Sequence, residues 1–143
     1  MKATLLYRIA SIVLLLFAVG HTYGFLSLRP LSAEGRAVFD AMNTVQFAVG
    51  GRDYTYGAFY RGFGLFCTVW LIFSAFLAWH LGDSARYDPS AIGALGWVFF
   101  AVQLASLVLS LKYFGPPPTA LNALVAIILG WAAWLVRMSR TTS

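Results

Sequence analysis

Apolar residues in this chain fall into four long blocks, and the stretches between them collect Gly, Pro, Ser and most of the charges. The first block, residues 5–26, follows Lys2, carries Arg8 and runs through SIVLLLFAVG to Phe25 and Leu26. A charged start, an apolar core and the small residues Ala18-Val19-Gly20 also fit the plan of a cleaved signal peptide. The apolar run continues past Gly20, so the block reads as a first membrane helix. The second covers 57–81, and after Arg61 no charge appears until Asp83. A run of about 20 such residues is enough to cross a bilayer. Gly82 to Pro89 reads as a turn, and Ser90 as the cap of a third helix over 91–112. Gly115-Pro116-Pro117-Pro118 reads as a stiff corner, too rigid for a helix. The fourth helix then covers 119–137 and ends in Arg137 and Arg140.

Between the first two blocks the pattern changes. Pro30 ends the first helix and Ser32 is placed to cap another. Over residues 33–49, Val38, Met42, Val45 and Val49 recur at spacings of four, three and four, which makes one narrow apolar face. Glu34, Asp40 and Thr44 fall largely opposite, with Asn43 and Gln46 on the flank. Those acids and amides make a crossing costly. The segment is therefore expected as an amphipathic interfacial helix, ended by Gly50-Gly51.

The expected fold is all-α: a polytopic membrane protein with four transmembrane helices in an antiparallel bundle, one domain over residues 1–143. Small residues at helical spacing favour close helix packing. They are Asn122, Ala126, Gly130 and Ala133 on the fourth helix, Gly57, Arg61, Gly64 and Thr68 on the second, and Gly20 and Gly24 on the first. Such stripes serve either the bundle itself or a homo-oligomer.

Composition agrees with the pattern. Hydrophobic residues make up 60% of the 143 and charged ones 10%, with a mean hydropathy of +0.76. A soluble domain carries about 25% charged residues. The formal charge of +5 sits in connections and at helix ends, where it sets orientation and meets anionic lipid headgroups. No basic amphipathic stretch or base-stacking module accompanies it, so nucleic acid is not an expected partner. The single cysteine, Cys67, excludes an intramolecular disulfide and any CxxC or thiolate-zinc site. Its expected role is buried packing.

Four spans place both termini on one side. Lys2, Arg8, Arg86, Arg137 and Arg140 share that side, against Arg29, Arg36, Arg52, Arg61 and Lys112 on the other. The balance is even, but Arg29, Arg36 and Arg52 of the second group share a connection with three acids, and its charges weigh less if it folds, so both termini are expected in the cytoplasm. Trp79, Trp131 and Trp134 belt the terminal side, and Tyr23, Tyr54, Tyr56, Tyr60 and Tyr113 the other.

The antiparallel layout gathers polar side chains at the non-terminal end. His21, Tyr23, Tyr56, Tyr60, Arg61 and Asn122 line this mouth, Asn43 and Gln46 arrive on the covering helix, and Gln103 sits below. A mouth polar above and apolar underneath suits an amphipathic lipid-like or quinone-like molecule. The competing reading is plain: interfacial tyrosines anchor, and Arg61 snorkels to phosphates. His21 is either a proton carrier or a hydrogen bond to a neighbour. His80, nineteen positions beyond Arg61, would lie about 28 Å from the mouth at 1.5 Å per residue, so the two histidines do not form a haem ligand pair. No metal set is expected, no cofactor is indicated, and no catalytic spacing such as G-x-S-x-G or H-E-x-x-H appears.

His21-Thr22-x-Gly24-Phe25 closing the first helix, Met42-Asn43 on the linker, and Phe59-Tyr60-Arg61-Gly62-Phe63-Gly64-Leu65 opening the second together resemble a group of small bacterial integral-membrane proteins. In size and layout the chain is also similar to DoxX-like proteins. The resemblance implies a multi-pass protein of the bacterial inner membrane and carries no reaction with it. The expected function is binding of an amphipathic molecule at the mouth. The alternatives are a membrane enzyme, an isomerase or oxidoreductase with His21 as acid–base and Arg61 as anion clamp, and a structural subunit docking a membrane-protein partner through its glycine stripes.

Overall fold

The computed structural model describes residues 2–141, with side chains described through Ser139. The Arg140 side chain, expected at the terminal-side headgroups, lies outside them. The described elements are α1 (Lys2–Leu26), α2 (Ala33–Thr44), β1 (Gln46–Val49), β2 (Arg52–Thr55), α3 (Tyr56–Tyr87), α4 (Pro89–Ile92), α5 (Leu95–Tyr113) and α6 (Pro116–Thr141). Four of them, α1, α3, α5 and α6, are long and apolar enough to cross a membrane. The chain divides into two compact units, one of Met1–Phe17 with Leu71–Ser143, the other of Ala18–Trp70.

In the first unit each helix buries a stripe rather than a whole surface. Tyr7, Ala10 and Leu14 of α1 are buried, as are Ala75, Ala78 and Leu81 of α3, and Val125, Leu129, Ala132 and Val136 of α6. The spacing of three to four residues is one face of a helix. The outward positions, among them Ile12, Leu16, Phe76 and Ile127, are large and apolar but uncovered. Hydrocarbon solvates such a surface without cost, whereas water would not. Small residues set the distances. A β-carbon on Gly82 would press on Arg8 and Tyr7, and one on Gly130 on the Phe100 ring. Helices α5 and α6 form a hairpin across the two residues Phe114 and Gly115.

Three expectations about boundaries change. Helix α3 runs on through the segment expected as a turn, to Tyr87. Asp83 makes this affordable: its carboxylate accepts a hydrogen bond from the Arg8 guanidinium at 3.0 Å, and Arg8 also lies over the Trp79 ring. The expected third helix is broken in two. Asp88, not Ser90, caps the short α4 by accepting from the Ser90 amide. Gly93 then turns the chain with φ +50° before α5 begins. The three prolines expected to bar a helix instead form the first turn of α6. The first four N–H groups of a helix have no intrahelical acceptor, so proline loses nothing there, and its fixed φ suits the start.

The second unit holds the largest correction. Helix α2 stops at Thr44, and residues expected to prolong it form a two-stranded antiparallel hairpin. Gln46 pairs with Thr55, Phe47 with Tyr54, Ala48 with Asp53 and Val49 with Arg52. Gly50 and Gly51 turn it with φ +59° and +77°. Two positive φ values in a two-residue loop are what a type I′ turn needs, and its twist matches that of the strands. Ser32 does cap α2, accepting from the Gly35 amide at 2.9 Å. The Glu34 carboxyl is held below its usual range by its own backbone N–H and then by the Ser32 hydroxyl.

Candidate functional site

The second unit gathers most of the residues expected at the mouth, around the start of α3. Gly57, Arg61, Gly64 and Thr68 lie three or four apart and present one side of that helix. Gly57 and Arg61 meet α2, and Gly64 and Thr68 meet α1. Gly57 faces Asn43 of α2, and a β-carbon there would collide with that side chain. Arg61 donates from Nε to the Gly57 carbonyl at 3.3 Å and from a terminal nitrogen to Asn43 Oδ1 at 3.4 Å. Gly64 receives the Phe25 ring of α1, where no larger residue fits. Thr68 Oγ1 lies 2.8 Å from Thr22 Oγ1. Each hydroxyl also has a carbonyl four residues back within reach, Ala18 at 2.7 Å from Thr22 and Gly64 at 3.4 Å from Thr68.

His21 completes this ladder. Its Nε2 lies 3.0 Å from the Gly64 carbonyl oxygen. A carbonyl only accepts, so Nε2 carries a proton and Nδ1 is the nitrogen with a free lone pair in the neutral ring. The imidazole is stacked against Phe25 at 5.8 Å, and Phe25 in turn meets Tyr60 at 5.2 Å. On the hairpin side, Phe47 contacts Tyr54, Tyr56 and Phe59, and Phe59 contacts Phe63. The hairpin thus brings strand aromatics onto the first two turns of α3.

The mouth of this unit therefore has an exposed cation, Arg61, held loosely by two neutral acceptors, beside aromatic rings. No carboxylate pairs with Arg61 among the described residues. A guanidinium has five N–H donors in a planar fork, and the two long bonds leave most of them free for an anion. Tyr23, Tyr56 and Tyr60 are exposed, Tyr23 at 75%, and Gln46 opens β1. Gly20 and Gly24 meet nothing within 4 Å. The GxxxG of α1 is therefore an open face, not a packing seam of its own unit.

Gln103 and Asn122 belong to the other unit, and their polar groups are accounted for there. Gln103 Nε2 donates to Asn122 Oδ1 at 2.6 Å, and Asn122 Nδ2 donates to Ser110 Oγ at 2.6 Å. All three side chains are buried. This chain of bonds joins α5 to α6, as expected of polar residues at membrane depth. His80 is exposed and stacked on Phe76 at 6.4 Å. Cys67, expected to be buried, is exposed. Among the described residues no group of three or more His, Cys, Asp or Glu side chains is placed to hold a metal ion.

Sequence reasoning missed one feature of the first unit. A cleft of about 340 Å³ lies between the α4–α5 break and the last turns of α6, bordered by Trp97 and Arg137. Its only signal in sequence was Gly93, in a segment expected to be uninterrupted helix. Comparison with family models, with curated proteins and with solved structures found no match for this chain.

Proposed function

We propose that this chain is a small multi-pass protein of the bacterial inner membrane that binds an amphipathic lipid-like or quinone-like molecule at the His21–Tyr60–Arg61 mouth. In this reading α1, α3, α5 and α6 cross the bilayer as an antiparallel bundle with both termini cytoplasmic, and α2 lies at the interface. Four long apolar helices support the crossing. For α2 the support is its position between two such helices and its lack of any buried residue. The bacterial setting rests on the resemblance of the His21 and Arg61 motifs.

The observation that carries the binding proposal is the state of Arg61. It is exposed, it has no acid partner among the described residues, and it is steadied by Asn43 and Gly57. A plain anchoring arginine needs no such tether. The acidic or carbonyl headgroup of the ligand would take the free guanidinium donors. Its apolar body would lie along Phe25, Phe59 and Phe63, and His21 Nδ1 would accept a hydroxyl. No turnover is assigned.

The test is native mass spectrometry with lipid extraction on protein purified in mild detergent. Wild type is expected to retain a defined lipid or quinone that Arg61→Ala lacks. A wild-type protein carrying no molecule, or the same one in both, would overturn the proposal.

A further inference from the structure

Asn43 lies in the last turn of α2, and its Nδ2 donates to the Phe39 carbonyl at 2.8 Å. A carbonyl takes only a donor, so this bond fixes which end of the amide is left over. The end left over is Oδ1, and it accepts from Arg61 Nη2 at 3.4 Å. Gly57 makes room for this contact. A β-carbon there would sit 2.5 Å from Asn43 Oδ1 and 3.1 Å from the Met42 carbonyl oxygen. Any side chain at that position would push the amide off Arg61.

The guanidinium is therefore used along one edge and left free along another. Nε and Nη2 share one edge of the planar group, and these two atoms donate to the Gly57 carbonyl and to Asn43 Oδ1. Nη1 meets no acceptor among the described residues, so the Nη1–Nη2 edge keeps two parallel N–H groups unused. Both tethers are neutral and orient the cation without cancelling its charge. Asp40, one turn before Asn43, forms no ion pair among the described residues.

A free edge of this shape discriminates between ligands. A carboxylate or phosphate presents two oxygens side by side, which match two parallel N–H groups, and such charge-assisted bonds are roughly twice as strong as neutral ones. A para-quinone carries its carbonyl oxygens on opposite sides of the ring, so only one neutral acceptor reaches the edge. We propose, resting on the Arg61 mouth as the binding site, that Asn43 is a positioning residue that makes this mouth selective for an amphiphile with an oxyanion head, a carboxylate or a phosphate monoester, over a neutral quinone. Asn43 holds one edge of the guanidinium and the head pairs with the other. The apolar body lies along Phe59 and Phe63, which are exposed. The neutrality of residue 43 is part of the selectivity, because a carboxylate in its place would pair with the same guanidinium and compete with the head.

The full chain in mild non-ionic detergent would be titrated with laurate, dodecyl phosphate, decyl-para-benzoquinone, acetate and inorganic phosphate, with bound species counted by native mass spectrometry. At least one anionic amphiphile is expected to bind about tenfold more tightly than the quinone. Asn43→Asp is expected to erase that preference by weakening the anion about tenfold while quinone affinity holds. Gly57→Ala adds no charge and is expected to weaken the anion about threefold through loss of the tether, again without a matching loss for the quinone. A merely structural role would weaken all amphiphiles together. Equal losses for anion and quinone in these variants, or an unchanged preference in both, would overturn the positioning role of Asn43. Quinone bound by the wild type as tightly as either anion would overturn the oxyanion selectivity and leave the mouth standing as a binding site. Failure of all three amphiphiles to bind would overturn the mouth itself. Acetate or inorganic phosphate bound as tightly as the amphiphile with the same head would overturn the amphiphile as its source and leave a free anion.

Discussion

Asn122 shows how one side chain holds two helices. Its amide accepts from Gln103 and donates to Ser110, so both ends are used within the core of α5 and α6. In hydrocarbon or a dry core, a polar atom has no water to fall back on, and the bond is kept by the cost of losing it. Gln103→Leu would leave Asn122 Oδ1 without its donor while keeping the volume. The expected loss is about 1 kcal/mol, since interhelical bonds in membranes average about 0.6 and reach about 1.7. Thermal unfolding in detergent measures it; an unchanged midpoint would mean that the bond contributes nothing. His21 has a hydrogen-bonding neighbour of the kind that its place near a helix end favours over a proton carrier: the Gly64 carbonyl, which makes Nε2 a donor.

Among the elements, the hairpin is where reading by pattern went furthest astray. Val38, Met42, Val45 and Val49 keep helical spacing, but the same stretch reads Val45-Gln46-Phe47-Ala48-Val49 and is followed by two glycines. Residues that fit a strand, on either side of Gly-Gly, are a hairpin signal, and here it outweighs the narrow helical face. The hairpin also matters to the site, because it carries Phe47 onto Tyr56 and Phe59. Gly51 sits at φ +77°, a region where a β-branched residue is an outlier. Gly51→Val is therefore expected to cost about 1–2 kcal/mol locally. Amide hydrogen exchange should accelerate over residues 46–55 while the long helices keep their protection. Unaltered exchange across the hairpin would contradict the turn geometry. The three prolines of α6 illustrate the opposite error, in which a strong local rule was applied at the one place it does not hold.

For the whole molecule, the proposed orientation follows from charge and from which connection folds. Arg29, Arg36 and Arg52 lie in a segment that contains α2 and the hairpin, and the proposed orientation gives the charges of that folded connection less weight than Lys2, Arg86 and Arg137. A fluorescent protein fused after residue 143 is expected to fluoresce in bacterial cells, and alkaline phosphatase fused there to be inactive. The reverse pattern would overturn the cytoplasmic placement of the termini.

Four membrane-length helices could be read from the chain because the requirement behind them is local. A bilayer demands about 20 apolar residues and internal backbone bonding wherever a chain crosses it, whatever its neighbours are. The grouping of Gly57, Arg61, Gly64 and Thr68 was legible for a similar reason, since helical spacing alone puts them on one side. Which partner each of them meets was not. Helices that are apolar all round give no periodic sign of the face that packs, so the Phe25–Gly64 contact depends on which helix arrives opposite, whereas Gln103 and Asn122, as lone polar residues at membrane depth, could be expected to find one another. The cleft too depends on which helix arrives opposite. Gly93 breaks the helix, but a cavity exists only because α6 passes beside the break and Tyr7 from α1 fills the space beneath Gly96. Local pattern specifies what crosses the bilayer; contacts between residues far apart in the chain specify where a ligand has room to bind.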